Sequence, residues 1–438
     1  MSDRTTDAES PVLHHPGSAE YDGHRAGFQL REQHRPALVV AARGVGDVVA
    51  AVRYAADARM PIAVQATGHA LAGPLAGRGV LVSTRGMDDV DVDPDAGTAR
   101  VGAGARWRDV IDAAARHGLA PLSGSLPGVG AVSYTLGGGI GLMARRYGFA
   151  ADHVTRLELV TADGSLLTVS EREETDLFWA LRGGGGSFGI VTELEIALVP
   201  VAELVGGALM FDLRKTPDVI PAWLRWTATL PPEMTSALTA LGFPGQHLAH
   251  VQIAYLGSPA EADELVAPLR ALRPVHDSLR TIPYQQSHTV FGEPDQPHAY
   301  LGDNVLLRAI DEERLRDAVA VSSPEHPLPS VLTVRHLGGA LSAPPRVPNA
   351  VSHREAQYLL CAVTPTAGPD AERARALHGE LFADWSADAL GSSPNFTFGR
   401  PDRRTAAERF DAAHRDRLLR LARRHDPAGL LHPSFVIA

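Results

Sequence analysis

Between Pro121 and Gly148 the chain reads PLSGSLPGVGAVSYTLGGGIGLMARRYG, eight glycines in 28 residues with no charge before Arg145. Glycine loses more backbone entropy on ordering than any other residue, so a folded chain keeps it at this density where backbone must approach something closely. Lys215, the only lysine among 41 basic residues, is far away in sequence. A polyphosphate gripped by backbone N–H groups is the ligand such a stretch suits. Two more glycine-rich turns flank it: Ala66-Thr67-Gly68-His69-Ala70 upstream and Gly183-Gly184-Gly185-Gly186-Ser187-Phe188-Gly189 downstream. Three loops converging on one long ligand point to a dinucleotide.

Composition removes several competing classes. A net charge of −10 disfavours nucleic acid and anionic membranes as partners. No apolar run reaches the ~18 residues a membrane span needs, and the N-terminus has no apolar signal core, which reads as a solvated tail on a cytoplasmic protein. The single cysteine, Cys361, excludes an intrachain disulfide and a thiolate metal cluster, and its apolar run reads as a buried, inert thiol. No metal site is expected: His14-His15 lacks further ligands at metal-site spacing. Without a Gly-Lys-Ser/Thr sequence a P-loop is excluded. Gly185-Gly-Ser187-Phe-Gly189 matches a hydrolase nucleophile elbow literally, but the order around it is helix, loop, strand, where the elbow needs strand, serine, helix.

Periodicity places these loops at the ends of elements. Residues 35–42 read as a strand, 46–60 as a helix and 61–65 as a strand, a strand–helix–strand unit that delivers Thr67-Gly68-His69 at a strand end. Hairpins are expected over 88–101, turning at Asp95-Ala96-Gly97, and over 154–169, turning at Ala162-Asp163-Gly164. Helices are expected over 106–118 and 176–182, and a strand over 189–198. Beyond Pro200, strands at 204–212, 248–256, 303–309, 329–336 and 358–363 alternate with helices at 217–230, 259–272, 311–320 and 370–385. That is an α+β pattern, an antiparallel sheet with helices on one face. The Arg-rich stretch 402–424 reads as a helix burying Phe410, Ala413, Leu418 and Leu421, its charge a solvated face.

Taken together, Arg35-Pro-Ala-Leu-Val-Val, Thr67-Gly-His69, Thr135-Leu-Gly-Gly-Gly-Ile-Gly141, Arg146-Tyr-Gly148, Leu159-Val-Thr-Ala-Asp-Gly164, Asp176-Leu-Phe-Trp-Ala-Leu-Arg-Gly-Gly184 and Phe188-Gly-Ile-Val191 resemble the FAD-binding domain of the vanillyl-alcohol oxidase/PCMH superfamily. Within it, the chain is similar to the berberine-bridge-enzyme-like oxidases. The resemblance implies an α+β fold, a PCMH-type FAD-binding domain of two α/β subdomains plus an α+β substrate domain with an antiparallel sheet. It divides the chain into an N-terminal tail or arm (1–30), the FAD domain (31–201), a substrate domain (202–394) and a C-terminal segment (395–438) that returns to cover the flavin. The cofactor-binding residues it implies are Thr67, Gly68, His69, Ala70, Gly124, Ser125, Gly130, Tyr134, Gly137, Gly138, Gly139, Gly141, Gly189, Ile190 and Val191. His69 matches the histidine that such enzymes join covalently to the flavin 8α-methyl carbon.

The departures refine the expectation. The second tether of many relatives, a Gly-x-Cys-Pro cysteine, is replaced in Gly124-Ser125-Leu126-Pro127, so FAD is held by one histidyl link and no cysteinyl link. The oxygen-gate position is Val129, which in relatives goes with O2 as electron acceptor. Tyr134 is expected near the flavin N1–C2=O edge, where its phenol donates to the reduced ring. His353-Arg354 matches a landmark of the base region, but the acidic residue upstream is absent and Ser393-Pro394 stands where relatives place a tyrosine. Tyr358, Tyr300 and Asp303 are the remaining candidates for the base. The expected function is hydride transfer from a hydroxylated or amine-bearing small molecule, a secondary metabolite or a sugar, to flavin N5, with O2 restoring the flavin, in a monomer or homodimer. The missing base residues keep two rivals open: a covalent-flavin enzyme of cyclisation or rearrangement without net oxidation, and a cofactor-binding protein without turnover.

Overall fold

The runs on either side of the first glycine turn form a small parallel layer. In the computed structural model, which describes residues 11–69, 73–366, 370–399, 408–433 and 437, Leu38–Ala41 and Ile62–Gln65 both run parallel to Val80–Ser83 and flank it. The helix Val45–Asp57 connects the first two, burying Val48, Ala51, Val52 and Ala55 at the three- and four-residue spacing of one helical face. Val12–His14 adds an antiparallel edge strand. The sequence there reads as a solvated tail. Instead, Ser18 caps the helix Ala19–Arg25 by accepting from the Tyr21 N–H (3.1 Å), and Tyr21 is buried with its hydroxyl donating to the Pro36 carbonyl (2.7 Å). The missed signal is short: one strand turn and a single aromatic anchor.

A five-stranded antiparallel sheet follows, in the spatial order Val90–Asp93, Thr98–Gly102, Ile190–Ala197, Val154–Val160, Leu166–Ser170. Both expected hairpins are present. The Asp93 side chain accepts the N–H groups of Asp95 and Ala96 (3.0 and 2.9 Å), so this aspartate shapes a turn. The helix Trp107–Ala115 packs Trp107, Val110, Ile111 and Ala114 into the core behind this sheet.

After Pro200 the chain builds a nine-stranded antiparallel sheet among the described residues. Its central strands run Glu203–Asp212, Gln246–Tyr255, Met234–Phe243, Val331–His336, Tyr358–Pro365, Tyr300–Leu307. The helices Val219–Thr227, Pro259–Arg270, Glu312–Val319 and Asp370–Ala383 supply one core with residues of one sheet face, among them Trp223, Trp226, Val266, Leu315 and Phe382. The opposite face looks toward the first domain. Met234–Phe243 and Val80–Ser83 escaped the sequence reading, the former because Ala237, Leu238, Ala240 and Leu241 carry no strand preference of their own. The last helix runs Ala412–His425 and buries Leu418 and Leu421. Phe410 is buried as expected but lies ahead of the helix, and Ala413 is exposed, contrary to the expected face. Residues 402–407 of that expected helix lie outside the described residues. Among the described residues no helix is long and apolar enough to cross a membrane.

Buried arginines tie the two halves. Arg145, at the end of the glycine-rich stretch, donates to the carbonyls of Met234 (2.8 Å), Leu230 (3.2 Å) and Leu337, and to His336 Nε2 (3.1 Å). Arg182 donates to Phe178, Val347 and Pro348 carbonyls. The His353-Arg354 landmark has the same use: Arg354 pairs with Asp152 at 2.5 Å and stacks on Phe149.

Candidate functional site

A cavity of about 430 Å³ opens between the first domain and the outer face of the large sheet. All three glycine turns reach it. Thr67, Gly68 and His69 line it from the end of Ile62–Gln65; Gly124 and Ser125, with Leu126, Val129 and Tyr134, line it from the central stretch; Gly185, Gly186, Gly189, Ile190 and Val191 complete that side. Leu431, His432 and Pro433 lie on the same lining, held by the His432 N–H on the Ile62 carbonyl (2.7 Å). Ala70 lies outside the described residues.

The first turn is a local necessity. Gly68 has φ +68°, and a Cβ there would meet Gly27 Cα at 2.6 Å. The segment 27–29 crosses it closely: the Phe28 and Gln29 N–H groups donate to the Thr67 and Gly68 carbonyls, both at 2.9 Å. Phe28 then stacks on the His69 ring at 4.1 Å between centroids. Thr67 Oγ1 holds His69 Nδ1 at 2.8 Å while accepting the Gly130 N–H at 3.2 Å. Gly130 therefore serves the site through Thr67 and is not itself on the lining. His69 Nε2 is buried with no hydrogen-bond partner. Burial, with Arg106 next in effect, pulls the imidazole down to about 4, so it is neutral at physiological pH.

The structure corrects the role expected for the Gly-Gly-Gly-Ile-Gly run. Gly138, Gly139 and Gly141 do not line the cavity, and Gly137 borders a small adjoining void. A Cβ at Gly139 would lie 2.5 Å from the Tyr134 ring, one at Gly141 2.0 Å from the Ser123 carbonyl, and one at Gly137 1.8 Å from Asn395 Oδ1. These glycines let the chain fold tightly behind Tyr134, which then presents its ring to the cavity. Tyr134 packs edge-on against Trp107 (5.4 Å), its hydroxyl buried without a partner and its pKa raised by burial.

Tyr358, a candidate base, is elsewhere. It opens the strand Tyr358–Pro365, where alternate side chains face opposite ways; Cys361, Val363 and Pro365 line the cavity. Tyr358 points to the helical side, near Trp223 (6.2 Å) and Thr227, whose hydroxyl is 3.0 Å away. Asp303 is also absent from the lining. Tyr300 is on it, with its hydroxyl donating to the His69 carbonyl (3.2 Å). Cys361 is buried as expected, its thiol pushed up to about 12 by burial.

Several lining residues had no sequence signal: Phe28, Glu293, His298, Arg335, Phe396 and Phe398. Arg335 is the one a closer reading of alternation finds, as a cation in a strand whose other side chains are mostly apolar.

These features suit a flavin dinucleotide: side-chain-free turns for the pyrophosphate, an apolar and aromatic slot, and an unpartnered neutral imidazole nitrogen at the lining. The first domain is defined accordingly. Residues 36–170 match the FAD binding domain family, and the fold superposes on a berberine-bridge-like protein of Physcomitrella patens with a TM-score of 0.85 at 20% identity, covering 98% of this chain and 97% of that one. Over 289 residues it is 31% identical to the (R)-6-hydroxynicotine oxidase of Paenarthrobacter nicotinovorans, covering 62% of this chain and 61% of that protein's length. The whole fold superposes on 6-hydroxy-D-nicotine oxidase from Arthrobacter nicotinovorans with a TM-score of 0.85 at 24% identity, covering 98% of each chain. It also superposes on a glucooligosaccharide oxidase from Acremonium strictum, described with a 6-S-cysteinyl, 8α-N1-histidyl FAD, with a TM-score of 0.84 at 20% identity over 98% of this chain and 96% of that one.

Proposed function

We propose that the protein is an FAD-dependent oxidoreductase, an oxidase of a hydroxylated or amine-bearing small molecule that uses O2 as electron acceptor, with its flavin held through His69 alone. The observation that carries the reading is the buried, unpartnered Nε2 of His69 at the meeting point of the glycine turns. When bound, the flavin supplies the hydride acceptor and the route of electrons to oxygen. The chain's own residues do the rest. Thr67 holds Nδ1, burial keeps the ring neutral and nucleophilic, Phe28 stacks on its face, and Nε2 is left without a hydrogen-bond partner. Leu126, at the position of the cysteine found in doubly tethered relatives, has no bonding group. Val129 leaves that wall small and apolar. Tyr134 offers an unsatisfied O–H where charge develops on the reduced ring.

Acid precipitation tests the tether. The native protein is expected to give a yellow pellet, and His69→Ala a colourless pellet with yellow supernatant. A native pellet that gives up all its colour would overturn the histidyl link while leaving FAD binding intact. A protein that purifies colourless and takes up no added FAD would overturn the whole reading.

A further inference from the structure

Arg335 is a cation built into the cavity wall. Its strand, Val331–His336, alternates so that Leu332 and Val334 enter the helix-covered core while Val331, Thr333 and Arg335 line the cavity. Register places Thr333 opposite Cys361 and Arg335 opposite Leu359. The Arg335 side chain is 12% exposed. Its guanidinium is flanked by two rings, with the Phe291 centroid at 4.3 Å and that of Phe396 at 4.9 Å. Glu293 Oε1 stands 3.6 Å away, beyond hydrogen-bond length. The other oxygen of that carboxylate takes the Ser125 hydroxyl at 2.9 Å. Among the described residues Arg335 makes no hydrogen bond.

Two buried guanidinia between the domains provide a contrast. Arg145 and Arg182 each fill their donors on three or more backbone carbonyls and hold domains together. Guanidinium donors held at a cavity wall without a hydrogen-bonded protein partner are free to take a ligand's oxygens. A planar guanidinium fixed between rings presents an N–H edge that fits two oxygens side by side, and such charge-assisted pairs are short and strong. Around it the wall is aromatic, with Tyr300 and Phe398 edge-to-face at 5.3 Å and Phe396 beside them. These ring faces can stack on a flat aromatic ring.

We propose that Arg335 makes this cavity select substrates carrying an acidic oxygen, carboxylate or phenolate, on a flat aromatic ring. The proposal rests on the reading of the cavity as the substrate site of a flavoenzyme. Glu293 acts as the internal counter-ion that a substrate anion partly replaces.

Calorimetric titration of the purified protein, at pH 8, with 2-naphthoate and with its neutral counterpart 2-naphthamide tests this. Naphthoate is expected to bind about ten-fold or more tighter. Arg335→Leu should abolish the difference, and Arg335→Lys, which keeps the charge but not the fork, should retain part of it. Glu293→Gln should tighten naphthoate binding a few-fold, an opposite effect that a folding defect does not mimic. Equal binding of acid and amide, an Arg335→Leu affinity within two-fold of native, or weaker naphthoate binding in Glu293→Gln would each overturn the proposal. So would an Arg335→Leu protein whose flavin absorption shifts while the naphthoate preference persists, because Arg335 would then serve the cofactor. The flavin band is read in the same samples. Its absence alongside a naphthoate preference defeats the flavoenzyme reading and leaves the anion site standing; its presence without the preference defeats the anion site alone.

Discussion

Tyr134 carries a buried hydroxyl with nothing to bond, an arrangement that costs ~1–3 kcal/mol unless a ligand completes it. Tyr134→Phe is therefore expected to leave the thermal midpoint of the flavin-free protein equal or higher. In the flavin-loaded protein the same change should lower the reduction potential, since one donor to the reduced ring is lost. Loss of stability without a change in potential would assign Tyr134 to packing. Neighbouring side chains divide sharply at this scale. Tyr358 and Cys361 stand three positions apart on one strand, yet the first meets Thr227 and Trp223 and the second meets the cavity. Both residue types were legible in the sequence. The face each occupies was not.

Among the elements, the central glycine stretch does two jobs that its composition does not separate. Gly124 lies on the cavity, whereas Gly137, Gly139 and Gly141 give clearance to Asn395, Tyr134 and Ser123 behind it. Gly141→Ala would set a Cβ 2.0 Å from the Ser123 carbonyl, a backbone atom that cannot swing away. The expected result is a loss of about 2–4 kcal/mol in urea unfolding, together with poor flavin retention because the chain near Ser123 must shift. A variant as stable as the native protein would show that this turn relaxes freely. The segment 11–30 teaches the same point from the other side. Its polar, histidine-containing sequence looked solvated, yet it supplies an edge strand, a capped helix and the Phe28 ring behind His69. A helix held by one cap and one buried aromatic has too little periodicity to be seen without its neighbours.

For the molecule as a whole, burial holds four histidines neutral. His34, His69 and His378 are pulled down to about 4 and His336 to about 3, in each case chiefly by desolvation. Their folded pKa values lie below the ~6.5 of an unfolded chain, so between those limits the unfolded state binds more protons. Stability is accordingly full above about pH 6.5 and falls as pH drops toward 4, with a slope of up to about 1.4 kcal/mol per pH unit for each histidine. The urea midpoint is expected to be clearly lower at pH 5 than at pH 7.5. A midpoint that is flat or rising on acidification would contradict the buried, neutral state of these rings.

What the sequence determined by itself was the set of demands a backbone makes locally. Glycine where φ is positive or a carbonyl presses close, a hairpin at Asp163-Gly164, a helix with Val48, Val52 and Ala55 on one side: each is fixed by a few neighbouring residues and can be read from them. The tertiary structure alone decided which of two sheet faces meets the cavity, and hence that Arg335, Glu293 and Phe396 stand opposite turns more than a hundred residues away in sequence. Register between distant strands sets those positions. Its energy comes from packing whole faces together, and no short stretch of sequence contains it.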